Sequence, residues 1–209
     1  MDHLTLYTLQ NEKTLFELEN KGRITNKEIY LKLHLGAISD HFIEQYRTFT
    51  QMADRRLSKP EDVDFAIWCG TTREGTFKAE KGQVIYAMSV PADEVLYFDG
   101  RKWDYVLNGI YLPTSGEDQE TFQKDLERRG IRSQYGFLSS DAGRMNPDIA
   151  KRIKKSWERI FTINDWDDIY IQASIWEIRK EWVRHVVRPG EDLFEKAGDL
   201  ENTFPPRNI

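Results

Sequence analysis

The sequence predicts an α+β fold from three observations: β-prone runs near both ends and in the middle of the chain, helix-period apolar stripes between them, and apolar content sufficient for a sizeable core. Of 209 residues 39% are hydrophobic, with six Trp, nine Tyr and eleven Phe, so disorder is not expected. One core stops growing only beyond roughly 250 residues. Residues 1–189 are therefore read as a single domain and 190–209, polar and containing Pro205-Pro206, as a tail.

Leu4, Leu6 and Thr8 alternate with Thr5, Tyr7 and Leu9 as in a strand, and Asn11 then offers an N-cap for a helix that Gly22 ends. Phe42, Tyr46, Phe49 and Ala53 recur at helical spacing between Asp40 and Arg56, with the early acid and late arginines that the helix dipole favours. Residues 64–69 and 83–90 read as buried central strands joined by a hairpin loop that opens with Gly70-Thr-Thr-Arg-Glu-Gly75. Pro91 and Asp99-Gly100 bracket a short strand at 94–98, and Trp103, Val106 and Leu107 follow at helical spacing. Residues 114–145 are polar, hold a helix from Glu117 to Arg129 ended by Gly130, and read as an insertion or mobile segment. Asn146-Pro147-Asp148 starts a helix with the buried stripe Ile149, Ile153, Trp157 and Ile160. The runs 169–178 and 182–187, separated by Arg179-Lys180-Glu181, read as a hairpin or a strand-turn-strand.

Charge and cysteine content narrow the function. A formal net charge of -5 lacks the overall basic character of non-specific nucleic-acid binders. The single cysteine, Cys69, closes no intrachain disulfide, and the N-terminal residues lack a signal-peptide pattern. No apolar run reaches the ~20 residues of a membrane helix. A cytoplasmic protein with no membrane association is expected.

The chemistry-bearing residues are sparse. Cys69 has no recognisable companion among His3, His34, His41 and His185, and reads as a small buried hydrophobe. Those histidines lack metal-ligand spacing, so no metal site is assigned. Asp165, Asp167 and Asp168, followed by Glu177, admit a metal-dependent nuclease reading, although Arg179 stands where a catalytic lysine would be expected. Lys151, Arg152, Lys154, Lys155 and Arg159, with Arg128, Arg129 and Arg132, gather positive charge in an acidic protein, as a solvated face or as a surface for a polyanion.

Four strings, Tyr7-Thr-Leu-Gln10, VLYFDGRKWDYVLNGIYLP (95–113), SWERIF (156–161) and IQASIWEIRKEWV (171–183), together resemble an uncharacterised family of bacterial proteins. The opening LYTLQ, a helix and Gly22 further resembles ADP-ribosyltransferase folds, including bacterial toxins that modify nucleic acid. That resemblance implies a split β-sheet core with flanking helices, NAD as substrate, and transfer of ADP-ribose to a macromolecule, nucleic acid favoured over protein. It further implies a toxin or antiviral-defence role with an antitoxin protein as partner. By the same resemblance, Thr8 with Tyr7 and Gln10 grips the nicotinamide ribose side, Tyr46 or Trp68 stacks on the ring, and Gln172 stands where the catalytic glutamate is expected, with Glu177 nearby on the same late run. Glutamine keeps the hydrogen bond to a ribose hydroxyl and loses the charge. The string Tyr135-Gly-Phe-Leu-Ser-Ser140 resembles the Ser-Thr-Ser strand of arginine-specific ADP-ribosyltransferases with serine for threonine, and is read as a turn with an alternative NAD contact. A catalytically silent nucleotide- or protein-binding module is the reading from a different class.

Overall fold

The structure, a computed structural model, describes residues 2–28, 39–164, 166 and 170–201, with the backbone only for 39–41. In chain order the elements are β1 (His3–Asn11), α1 (Thr14–Lys21), β2 (Arg23–Thr25), α2 (Ser39–Asp54), β3 (Ile67–Gly70), β4 (Gln83–Pro91) and β5 (Leu96–Asp99). After them come α3 (Gly100–Leu107), α4 (Gly116–Arg128), α5 (Asp141–Met145), α6 (Pro147–Ser156), β6 (Ile171–Ile175), β7 (Glu177–Arg179), β8 (Val183–Val187) and α7 (Leu193–Lys196). Mixed helix and strand make this an α+β protein. The chain divides into two compact units, Met1–Phe98 with Asp165–Ile209, and Asp99–Asn164.

The first unit is built on a six-stranded sheet in the order β5-β6-β3-β1-β4-β8, with β2 and β7 forming a separate two-stranded sheet. β1 runs antiparallel to β4 over nine register pairs, from His3↔Pro91 to Asn11↔Gln83. Because side chains alternate along a strand, two distinct cores result. One face carries Leu6, Cys69, Tyr86, Met88 and Ala173, packed with Leu18 of α1, Ile24 of β2, Ile178 of β7 and Trp182. The other carries Tyr7, Ile85, Ala87 and Val187 with Leu193 and Ala197 from the chain after β8. Trp68 packs at a tilt against Phe49 of α2, ring centroids 5.4 Å apart, and edge-on against Phe98 of β5 at 5.2 Å.

The hairpin expected after Gly70 does not form, and the late runs give a strand-turn-strand rather than a hairpin. β3 and β4 are not neighbours, because β1 lies between them, so the chain from Gly70 crosses over an occupied sheet position. The late runs also part company: β6 pairs with β3, β7 with β2, and β8 with β4. Trp176, buried at the joint between β6 and β7, donates its indole N–H to the Leu57 carbonyl at 3.0 Å and pins that switch of sheets. Pairing across long sequence separations decides both cases, and local β-propensity is blind to it.

Helix ends follow local chemistry more closely. Gly22 closes α1 at φ 72 and donates its N–H to Leu18, a left-handed position that glycine occupies without a Cβ penalty. Asn11 stays in β1 and accepts from the Lys13 N–H, so it caps the turn before α1 rather than the helix. Residues 190–201 are less tail-like than their composition predicts, since Leu193 and Ala197 are buried. Pro205 and Pro206 lie outside the described residues.

The second unit has its own core. α6 begins at Pro147 as expected, and Ile149, Ile153, Trp157 and Ile160 are all buried, the last two in a 3-10 turn that continues the helix. Residues 114–145 contribute Phe122, Leu126, Ile131 and Phe137 to this core. Tyr111 stacks on Phe122 with centroids 4.0 Å apart. Tyr135–Ser140 holds a 3-10 turn at Phe137–Ser139. Gly143 packs on that turn so closely that a Cβ would stand 2.2 Å from the Phe137 carbonyl oxygen.

Asp118 organises the polar side of this unit. Its carboxylate accepts from the Tyr111 hydroxyl at 2.9 Å and the Thr114 N–H at 2.8 Å, and pairs with Arg159 at 3.5 Å. The Thr114 N–H foremost, then the Tyr111 and Thr114 hydroxyls and Arg159, hold its carboxyl below the usual range. Asp118→Asn is expected to cost about 1–3 kcal/mol in urea unfolding at pH 7. A depressed carboxyl stabilises above its unfolded pKa of about 3.9 and stops doing so as pH falls through the folded value. The difference between the two proteins should therefore shrink below about pH 4, and an equal difference at pH 7 and pH 3 would contradict this account.

Candidate functional site

β1 and β3 share a single register pair, Tyr7↔Gly70. Next to it the ladder is replaced by a side chain, for the Thr8 hydroxyl donates to the Trp68 carbonyl at 2.8 Å and accepts from Gln10 Nε2 at 2.9 Å. Where two neighbouring strands part in this way a sheet can open, and a cavity of about 210 Å³ lies there, bordered by Tyr7, Thr8, Trp68, Gly70, Thr76 and Gln172 among others.

Register determines which side chains share a face. Gly70 pairs with Tyr7 on one side and with Gln172 on the other. Cross-strand partners point the same way, so Tyr7 and Gln172 flank Gly70 on one face while Thr8 is directed to the opposite face. Glycine between them leaves the room: a Cβ at position 70 would stand 3.0 Å from the Thr76 hydroxyl oxygen.

The crossover loop after Gly70 is internally braced. Thr71 donates to the Ile171 carbonyl at 3.0 Å, Thr76 donates to the Thr72 carbonyl at 2.7 Å, and the Gly75 N–H donates to the Thr72 hydroxyl at 3.1 Å. A second cavity of about 450 Å³ adjoins the first, sharing Thr76 and Phe77 and adding Arg73, Lys78, Ile85, Leu193 and Phe194.

The cavity walls are chemically uneven. Tyr7 is fully buried, and its hydroxyl finds no hydrogen-bond partner among the described residues. Burial pushes its pKa up; the Arg73 guanidinium opposes this, while Glu74 and Asp199 add to it. Burial also drives the Cys69 thiol far up, against a smaller opposing hydrogen bond with Thr8. Cys69 is thus held as the neutral thiol, which agrees with a small buried hydrophobe rather than a nucleophile.

The residues singled out from the sequence separate into two groups. Tyr7, Thr8, Trp68 and Gln172 border the first cavity; Gln10 is bonded to Thr8, and Tyr46 lies against Trp68 with ring centroids 5.1 Å apart. Glu177 is elsewhere. It sits on β7 in the two-stranded sheet, buried, with Arg23 at 2.6 Å and Arg179 at 2.6 Å. Asp165, Asp167, Asp168 and His34 lie outside the described residues, as does the side chain of His41. No group of three or more His, Cys, Asp or Glu side chains suited to a metal ion occurs among the described residues. No helix among them is long and apolar enough to cross a membrane.

Arg73, Phe77 and Phe194 escape a reading by motif. The available signal was two aromatic residues isolated in otherwise polar stretches.

The chain belongs to the family described as Domain of unknown function (DUF3841), which it matches over residues 5–184. No curated protein and no solved structure matches it.

Two outcomes follow from the buried groups. Glu177→Gln should lose about 2 kcal/mol in urea unfolding, because two guanidinium groups forfeit their carboxylate; a change below about 0.5 kcal/mol would contradict the structural role. Groups whose folded pKa is raised stabilise below their unfolded value and cease to do so as pH rises. For Cys69 that decline begins near pH 8.5, and for Tyr7 near pH 10. The urea midpoint should fall between pH 8 and 10 on the order of the thiol's contribution, and Cys69→Ala should flatten the fall.

Proposed function

We propose that this protein is an NAD-dependent ADP-ribosyltransferase acting on a macromolecule. One observation carries the reading: Tyr7, Thr8, Trp68 and Gln172, far apart in sequence and drawn from three strands, border one cavity where β1 and β3 part. A fully buried tyrosine hydroxyl without a protein partner at that cavity fits a polar ligand atom.

In this reading the nicotinamide end of NAD enters the first cavity, with Trp68 and Tyr46 as its aromatic wall. Gln172 faces the ribose from the same side of the sheet as Tyr7, and its carbonyl oxygen accepts from a ribose hydroxyl while its dipole opposes the positive charge that develops on the sugar. The Thr8–Gln10 pair holds the parted strands at the rim. The bond from the ribose carbon to nicotinamide breaks, its electron pair leaves with nicotinamide, and an acceptor nucleophile bonds to that carbon and loses its proton. Glu177, neutralised by two arginines, supports the fold.

Nucleic acid is the favoured acceptor class. Arg129, Arg152 and Arg159 are engaged in ion pairs with Asp148, Asp125 and Asp118. Arg128, Arg132, Lys151, Lys154 and Lys155 are exposed and supply positive charge in an acidic protein. A toxin or defence role in the cytoplasm, restrained by an antitoxin protein, accords with such an activity.

Purified protein incubated with NAD and RNA, DNA or protein acceptors should release nicotinamide and label an acceptor. Gln172→Ala should lower the rate by about 10²-fold or more, and Tyr7→Phe by about tenfold. Tight NAD binding with no turnover on any acceptor would overturn the enzyme and leave a binding module; metal-dependent cleavage of nucleic acid without NAD would replace it with a nuclease.

A further inference from the structure

We infer that the second cavity is a nucleoside-monophosphate subsite, which takes a phosphate on Arg73 and an aromatic base on Phe77 and Phe194. The inference rests on the NAD reading only in naming the ligand's origin, the adenylate half of the dinucleotide. The geometry stands apart from it.

Arg73 Nη1 donates to the Ala197 carbonyl at 3.4 Å, a long bond, and its Nε is buried with no partner among the described residues. Guanidinium has donors and no acceptor, so whatever completes Arg73 must accept, and phosphate oxygens match its fork. Two of the three carboxylates lining the cavity are already spent. Glu191 accepts from Lys196 at 2.9 Å and from the Arg188 N–H at 2.8 Å, and Asp192 caps α7 through the N–H groups of Phe194 and Glu195. Glu74 remains exposed at the rim, an acceptor of the kind that a ribose diol requires.

Phe77 is 79% exposed and Phe194 50% exposed, and both line this cavity. Arg73 already stacks over Phe194, with its guanidinium carbon 5.6 Å from the ring centroid. Exposed aromatic rings beside a stacked guanidinium form a platform on which a base can stack. At about 450 Å³ the cavity is large enough for a mononucleotide and lies in the range of small-molecule sites.

The test titrates the full chain separately with AMP, adenosine and nicotinamide riboside, read by calorimetry. AMP should bind more tightly than adenosine. Arg73→Gln should weaken AMP on the order of tenfold and leave adenosine nearly unchanged, with Arg73→Lys intermediate. Phe194→Ala should weaken both on the order of tenfold, with urea midpoints checking that each variant is folded. Absence of AMP binding, or AMP affinity indifferent to Arg73→Gln in a folded variant, overturns the inference. Should AMP fail while nicotinamide riboside binds and NAD is cleaved, the subsite is wrong and the reading of the first cavity survives. Should AMP bind as described while no nicotinamide is released, the reading of the first cavity fails and the mononucleotide site remains.

Discussion

The placement of β1 between β3 and β4 is the constraint on which the first unit depends. On one side β1 makes a continuous nine-residue ladder with β4, and on the other it touches β3 in register only at Tyr7↔Gly70. The ladder anchors the strand, so the weakly paired edge can open without loosening the sheet. In a fully zipped pair the backbone groups of residues 8–10 and 67–69 would face each other. Here the Thr8 hydroxyl satisfies the Trp68 carbonyl instead, and the cavity begins beside that substitution.

The same strand also divides labour between the two faces. Its even-numbered residues, Leu6 to Gln10, belong to the face covered by α1 and the β2–β7 sheet, where Glu177 is clamped between Arg23 and Arg179 and the Cys69 thiol is kept neutral by burial. Its odd-numbered residues belong to the face where Tyr7 and Gln172 flank Gly70 and where the crossover loop brings Arg73 and Phe77. On the second face the buried Tyr7 hydroxyl and Arg73 Nε lack partners among the described residues, and buried polar groups left so cost free energy unless a ligand or solvent completes them.

Much of the local structure was legible because it depends on neighbours in sequence. The stripe Ile149, Ile153, Trp157 and Ile160, the glycine end of α1, and the interior positions of the 67–70 and 83–91 strands follow from periodicity and capping. The hairpin expected after Gly70 and the one open to the late runs failed for one shared reason. A polar loop between two β-prone runs states that the chain turns, and says nothing of whether a third strand already occupies the adjacent place. β1 filled that place between β3 and β4, while β2, far up the chain, drew β7 away from β6 and β8. The site shows the same limit. Gln172 and Tyr7 were marked from their strings, yet Arg73, Phe77 and Phe194 were not, because their meaning arises only when the crossover loop meets the segment after β8.

By itself the sequence determined the fold class, the helices with strong caps and stripes, and a short roster of polar residues on strands, all of which rest on interactions between residues a few positions apart. The tertiary structure decided the order of the strands, the face on which each of those residues lies, and the placement of Glu177 in an ion-paired two-stranded sheet. The physical reason is register: a shift of one residue in a β-pair reverses every side chain on the strand, and register is set by partners about 60 to 160 positions away rather than by the strand's own composition.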